Sequence, residues 1–433
     1  MTSRTNVVEI CQDLIRIDTS NYGDEPGPGE REAAEYVAEF LRGLGLDPVI
    51  RESEPGRANL TCRWEGEDPS REALVVHGHL DVVPAFREDW SVDPFAAEII
   101  DGMIYGRGAV DMKNMDAIIL ATVANMIGTG VKPPRDIILA FFADEEHGGA
   151  RGAKWMVENH PDDFRGATEA ISEVGGFSAT INGQRAYLIQ TAEKGMQWLR
   201  LIAHGRQGHG SLVQRDNAVA HLAGAMTRIA GHTWPMDLTP TAELLLRGVA
   251  ELEGIEYEAT PECIDRLIDG LGAMAPMIEA SVRNTSNPTM LDAGYKTNVV
   301  PDTAVGFVDS RFLHGQQEES LRIIEDLAGT HVKVEPYITE RSLEAPFDTA
   351  VVDKMIAALR AEDPGVPVLP YSMMGGTDNK HLAALGIAGY GFAPLQLPPD
   401  LDFPALFHGI DERIPVDSLH FGVRVLERFL RDC

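Results

Sequence analysis

Apolar residues recur at helical spacing from the start of the chain. Val7, Ile10, Leu14 and Ile17 fall on one side of residues 6–17, which predicts an amphipathic opening helix. Residues 31–43 repeat the pattern and run into Gly43 and Gly45, residue types that end helices. The texture then alternates. Ala73–His77 (ALVVH) and Asp136–Ala143 (DIILAFFA) are continuous apolar runs of buried-strand type, and Ala117–Met126 and Ala150–Glu158 read as helices. Strands apolar on both faces, alternating with helices, predict an α/β fold with a mainly parallel sheet covered on both sides.

Around Glu193 the pattern changes. AYLIQTAEK and MQWLRLIAHG suggest strands with one polar and one apolar face. With a helix at Asn217–Ala230 and strands at Val305–Phe312 and Val332–Ile338, this stretch predicts an α+β module, two helices on one face of an antiparallel sheet. From about Asp348 the alternation returns, with a helix at Val352–Arg360, a strand near Ala388–Phe392 and a closing helix at Ser418–Arg431. The expected organisation is one α/β domain in two parts, 1–192 and 341–433, with a second domain inserted at 193–340.

Composition narrows the function. A chain of 433 residues needs neither disulfides nor a structural metal to fold, so a metal site here would be functional. Lys plus Arg is 37 and Asp plus Glu is 67, a net charge of −30. That field repels phosphate backbones and anionic bilayers, so neither nucleic acid nor membrane is an expected partner. No apolar run reaches the roughly 18 residues of a membrane span. Cys11, Cys62, Cys263 and Cys433 are far apart with no CxxC, which argues against a disulfide framework and a thiolate zinc knuckle. The N-terminal segment lacks the apolar core of a secretory signal. A cytoplasmic protein is expected.

Three segments carry candidate chemistry. LVVHGHLDVVP places His79 and Asp81 at a strand end, two residues apart and so on one side of extended chain. Such an imidazole can bind a metal while the carboxylate fixes its tautomer; His77, inside the strand, reads as core. DGMIYGRGAVDMKN puts Asp111 after Gly106 and Gly108. It lacks the order of a phosphate loop, and its carboxylate suits a cation. ILAFFADEEHGG ends an apolar strand in Asp144, Glu145 and Glu146. Adjacent side chains diverge, so one of the two glutamates as ligand and the other as free base is the natural division. Glu173 and His408 are uninformative alone. Together these form an oxygen and nitrogen donor set without thiolate, suited to two divalent ions, with zinc the expected occupant and Co2+ a substitute.

HGHLDVVP, GRGAVDMKN, FFADEEHGG, GHGS, NVVPDTAVGFVDSR, GGTDNKH and HGIDERIPV follow one another in the order of a known family. The chain resembles the di-zinc amidohydrolases that include aminoacylase, carboxypeptidase S, glutamate carboxypeptidase and succinyl-diaminopimelate desuccinylase. The likeness covers essentially the whole chain. It implies a parallel-sheet catalytic domain with an inserted lid and dimerisation domain. His79 would bind one zinc with Asp81 orienting it, Asp111 would bridge both ions, Glu146 and His408 would complete the second site and Glu173 the first. Glu145 would be the general base. Many relatives have Asp-Glu-Gly-Gly where this chain has Glu173-Val174-Gly175-Gly176, so Glu173 is assigned by the register of the glycine pair.

The resemblance further implies that His209 stabilises the oxyanion, from the partner's lid in dimeric relatives, so a homodimer through the lid is expected; some relatives with enlarged lids supply this histidine from their own chain, and the long insert here keeps that alternative open. Asn298 and Arg311 would bind the substrate carboxylate near the Gly375-Gly376-Thr377 loop. Residues 235–288 read as helices added to the lid, as in the carboxypeptidase S branch. The implied activity is hydrolysis of an amide bond beside a free carboxylate, in a dipeptide, a C-terminal peptide or an N-acyl amino acid. A catalytically silent binding protein on this fold would be expected to have lost Glu145 or several ligands, and none is missing. A serine hydrolase using Ser211 would need a GxSxG elbow, which is absent.

Overall fold

The computed structural model describes residues 6–433, apart from the side chain of Ala273. Asn6 caps the first helix, Val7–Arg16, by accepting the N–H of Val8. The second helix, Arg31–Gly43, ends at the expected glycines. At the centre lies a ten-stranded sheet. Its four middle strands, Ile137–Phe142, Ala73–His79, Ala167–Ser172 and Ala388–Gly391, run parallel. Antiparallel strands flank them, Arg57–Trp64 on one side and Gln184–Glu193 on the other.

The continuous apolar runs resolve into two faces. Leu74, Val76, Ile137, Leu139 and Phe141 pack into a cluster with helices Val7–Arg16, Lys113–Gly128 and Val416–Asp432. Ala73, Val75, Ile138, Ala140 and Phe142 face the other way, onto Met156, Phe164 and Leu382. The two-residue period, hidden in an all-apolar run, thus decides which helix layer each side chain meets. His77 joins the second face, its ring 5.6 Å from Phe142 and Nε2 2.9 Å from Asn379 Oδ1. Burial pulls its pKa down to about 4; it is a neutral core histidine, as expected.

The predicted α+β module is a four-stranded antiparallel sheet ordered Thr285–Ala293, Thr303–Phe312, Gly195–His204, Val332–Glu340. The AYLIQTAEK strand expected in it belongs instead to Gln184–Glu193 of the main sheet, where its residues from Ala186 on are buried on both faces. Helices Ala218–Ala230 and Gln317–Ala328 cover one face over Leu199, Leu201, Ala304 and Val308. Met196, Trp198, Asp309 and Arg311 stand on the other face.

The 235–288 stretch does form added helices, Pro240–Glu253, Pro261–Asp269 and Ala275–Ser281. They do not enlarge the lid. Leu245, Leu246, Val249, Leu267 and Ile278 pack into the core of the main sheet. Gly248 lies so close to Leu369, on strand Val368–Met373, that a Cβ would overlap it. The chain therefore passes between the two bodies four times. The crossings adjoin: Met236 bridges Arg283, and Asp237 N–H donates to Val282 O at 2.9 Å. Lys194 Nζ donates to the carbonyls of Ala280 and Arg283 at 2.9 and 2.7 Å, and Leu343 pairs with Glu193.

Candidate metal centre and substrate cavity

His79 ends its strand, Glu145 and Glu146 follow the neighbouring strand Ile137–Phe142, and Glu173 follows Ala167–Ser172. All stand at carboxyl ends of parallel strands, where open α/β sheets place their ligands. Asp111 arrives from the loop before helix Lys113–Gly128, and the Asp111–Met112 peptide is cis. His408 comes from the segment before the last helix.

These side chains converge. His79 Nε2 lies 3.0 Å from Asp111 Oδ1 and 3.6 Å from Glu173 Oε2. His408 Nε2 lies 3.2 Å from Asp111 Oδ2 and 3.0 Å from Glu146 Oε2. Asp111 thus stands between the two imidazoles, one oxygen towards each. Donor atoms of His79, Glu145 and Glu173 lie within 4.8 Å of one another, as do those of His79, Asp111 and Glu146. The donor set of imidazole nitrogens and carboxylate oxygens fits a pair of divalent ions.

The electrostatics of the protein alone point the same way. Burial pushes Glu173 up to about 8 and Glu145 well above the carboxylate range, where Glu173 adds like-charge repulsion. Burial also raises Glu146, with Asp111 adding to it. Burial works against a charged Asp111 too, but hydrogen bonds with His408 and His79 hold its carboxyl below its ordinary value. Asp111 and Glu146 together push His408 up to about 10. Carboxylates packed this closely need cations to stay ionised.

Asp81 departs from the simple reading of HxD. His79 Nδ1 meets the backbone oxygen of Asp81 at 2.9 Å, and the carboxylate is further off, at 3.7 Å. That carboxylate instead accepts the N–H groups of Glu145 and Glu146, each at 3.1 Å. The glutamates diverge as expected, Glu146 towards His408 and Glu145 towards Glu173. Gly175, of the pair that sets the register of Glu173, lies so close to Gly391 that no side chain fits there.

A cavity of about 850 Å³ opens over this centre. Arg311 lines it, with Nε and Nη2 held by Asp309 at 2.7 and 3.0 Å. Gly375 and Gly376 line it too, and Phe177, Met277, Met373, Phe403 and Phe407 give it an apolar wall. Thr377 requires correction. It does not line the cavity but is fully buried, its N–H and hydroxyl both donated to Glu193, at 3.0 and 2.6 Å.

His209 and Asn298 do not line the cavity either. Strand Gly195–His204 leads away from the junction, a path of about 30 Å at the usual rise. Beyond it Gly208–His209 pairs with Val299–Val300. Asn298 sits beside this ladder, its carbonyl accepting the N–H of Gly210 at 2.9 Å. His209 is exposed, with Nδ1 2.8 Å from Ser211 Oγ.

Two residues were not singled out in the sequence. Glu412 is fully buried and accepts the N–H groups of Gly108, Val110 and Asp111 and an Arg107 nitrogen, at 2.6–3.2 Å, so it builds the loop that presents Asp111. Lys380 lines the cavity and pairs with Glu340 at 2.7 Å, tying the main sheet's layer to the last lid strand. Both lie within quoted motifs, HGIDERIPV and GGTDNKH, but a lone Glu or Lys in a loop carries no pattern.

The model of Peptidase family M20/M25/M40 matches residues 75–432. The chain belongs to this family. Its M20 relatives include the N-fatty-acyl-amino acid synthase/hydrolase PM20D1 of Xenopus tropicalis, 28% identical over 97% of this chain and 84% of the relative. Aminoacylase-1 of Homo sapiens is also 28% identical, over 98% of this chain and 94% of that one. Among solved structures, the M20 metallo-carboxypeptidase Sso-CP2 of Sulfolobus solfataricus has the same fold, with a TM-score of 0.74 at 19% identity over 98% of both chains. The protein is therefore an M20 metallohydrolase acting on amide bonds.

Proposed function

We propose that this M20 enzyme hydrolyses an amide bond beside a free carboxylate, using two zinc ions. The observation that carries this is that Arg311 and the carboxylates of Asp111, Glu145, Glu146 and Glu173 line one cavity, with His79 buried against them. His79, Asp111 and Glu173 would hold one ion, and Asp111, Glu146 and His408 the other. Such a pair, when bound, lowers the pKa of water and polarises the scissile carbonyl. Glu145, left free of the metals, takes the proton of the attacking water and returns it to the leaving amine. Arg311 pairs with the carboxylate and fixes the amide over the centre.

A homodimer through the lid completes this reading, with His209 and Asn298 serving the neighbouring chain. It is supported by their distance from their own cavity and by the exposed apolar side chains Leu212, Val213 and Tyr295 nearby. A cytoplasmic location is supported by the four unpaired cysteines. No helix among the described residues is long and apolar enough to cross a membrane.

Within the acids, the apolar wall and the full-length likeness to aminoacylase-1 and PM20D1 favour N-acyl amino acids as a second reading beside dipeptides. The test is a hydrolysis panel with zinc and with cobalt, setting Gly-Leu against N-acetyl-, N-succinyl- and N-dodecanoyl-leucine and their amides. Turnover of free acids and not of the matching amides is expected. Equal turnover of both would sink the carboxylate requirement.

A further inference from the structure

The turn that carries Glu145 and Glu146 hangs on two buried carboxylates. Asp144 begins it in the left-handed region, with φ 64°. The Asp144 carboxylate accepts the N–H of Arg151 at 2.9 Å, beyond the turn. The Asp81 carboxylate accepts the N–H groups of Glu145 and Glu146. Both are fully buried, and neighbouring anions out of water repel unless donors stand between them.

The donor that reaches both is Asn21, in the segment joining the first two helices; guanidinium nitrogens of Arg151 and Arg57 stand 3.7 and 3.9 Å from Asp144. Its Nδ2 lies 2.8 Å from Asp81 Oδ2 and 3.2 Å from Asp144 Oδ1. The amide has only one workable orientation. Oδ1 accepts the N–H of Gly23 and Nη2 of Arg57, each at 2.9 Å, and both can only donate, so the nitrogen must face the carboxylates. Arg57 is itself anchored on buried Glu30 at 2.6 Å. The backbone is fixed as well: Asn21 N–H donates to Val82 O at 2.9 Å, and Ser20 bridges Val82.

We infer that Asn21 is a positioning residue for the catalytic base. An amide nitrogen carries two hydrogens, and here each has its own carboxylate. One side chain thereby couples Asp81, which holds the start of the turn through two backbone N–H groups, to Asp144, which fixes its entry and far end. This holds in place the turn from which Glu145 and Glu146 diverge. Misplacing a reacting group by about 1 Å costs on the order of a hundredfold in rate, while Arg311 and the lid face that bind substrate are untouched. The loss therefore falls on kcat.

The inference rests on Glu145 being the base, and that reading fails separately, if Glu145→Gln keeps wild-type turnover. The test compares Asn21→Ala, Asn21→Ser and Asn21→Asp, loaded with zinc, on whichever of Gly-Leu or N-acetyl-leucine the wild type hydrolyses faster. Metal content and Tm are measured alongside. Asn21→Ala is expected to lower kcat about 10- to 100-fold with KM within about twofold and metal retained. Asn21→Ser, which keeps one donor, falls less. Asn21→Asp, the same shape with a third carboxylate, falls furthest. A kcat within about twofold of wild type in the folded Ala or Ser variant overturns the inference, as does metal lost in step with activity. If Asn21→Ala is not recovered folded, Ser against Asp decides, and equal turnover of the two overturns it.

Discussion

The two sides of the cavity are built on opposite principles. On the main-sheet side, charged groups are buried at strand ends and locked to one another, and Glu412 and Asp81 hold the loops that present them. On the lid side, Arg311 is half-exposed on an open sheet face, and His209 and Asn298 lie beyond the far end of that sheet. Burial makes the first side rigid and self-contained, because an unpartnered charge there is costly. The second side keeps its polar groups in water, where they cost little, with Arg311 fixed by Asp309 and His209 and Asn298 remote. On the proposed dimer reading the chemistry is preassembled, and part of the recognition is delivered by the neighbouring chain.

The sharpest test of the preassembled side is Glu145→Gln. It is expected to lower kcat by about 10²–10⁴-fold, the usual worth of a positioned base, with metal content unchanged. Metal lost together with activity would make Glu145 a ligand. On the delivered side, His209→Ala should cost about 10²–10³-fold, as for one oxyanion donor. Mixing it with Glu145→Gln chains should restore a sizeable fraction of activity, since one site of a mixed dimer keeps both groups. Demonstrated subunit exchange without recovery would return His209 to its own chain.

Arg311→Ala comes next, at about 2–5 kcal/mol in kcat/KM on free acids. The matching amides should change little, and a uniform loss would make Arg311 structural. The smallest effect concerns stability. Asp116 is fully buried behind His79, neither of its oxygens has a partner among the described residues, and burial raises its pKa to about 8. The folded state holds this proton more tightly than the unfolded chain. Stability is therefore full below the ordinary carboxylate range and is lost as pH rises through about 8. Asp116→Asn should raise Tm more at pH 8 than at pH 5, read by calorimetry, and a pH-independent difference would refute it.

Much of the preassembled side was legible because its residues sit where a pattern ends. His79, Glu145 and Glu146 each stand at the end of an apolar run, so strand and candidate site residue could be read together. Glu173 and His408 had no such frame and depended on resemblance. Helix Lys113–Gly128 starts earlier than the Ala117–Met126 read from the sequence because Lys113 and Asn114 look like loop, though they are buried. Glu412 was invisible for a different reason: it acts on backbone about three hundred positions away. Thr377 belongs to the loop expected near the substrate carboxylate, but its N–H and hydroxyl turn into the core onto Glu193, a direction that proximity in a motif does not give. The helices of 235–288 were legible by period, but amphipathic spacing says only that a face will be buried, not against which body.

Those helices have a mechanical consequence. An ordinary inserted domain is joined by two peptide segments and can swing freely about them. Here four segments meet in one hydrogen-bonded knot around Lys194, Asp237, Arg283 and Leu343. Any rotation of the lid must turn all four together, which leaves one narrow axis instead of a loose tether. Rotation about that line would tip the open face carrying Arg311 towards or away from the candidate metal centre, while sliding or twisting would break the knot. A substrate carboxylate would meet a door on a fixed hinge line.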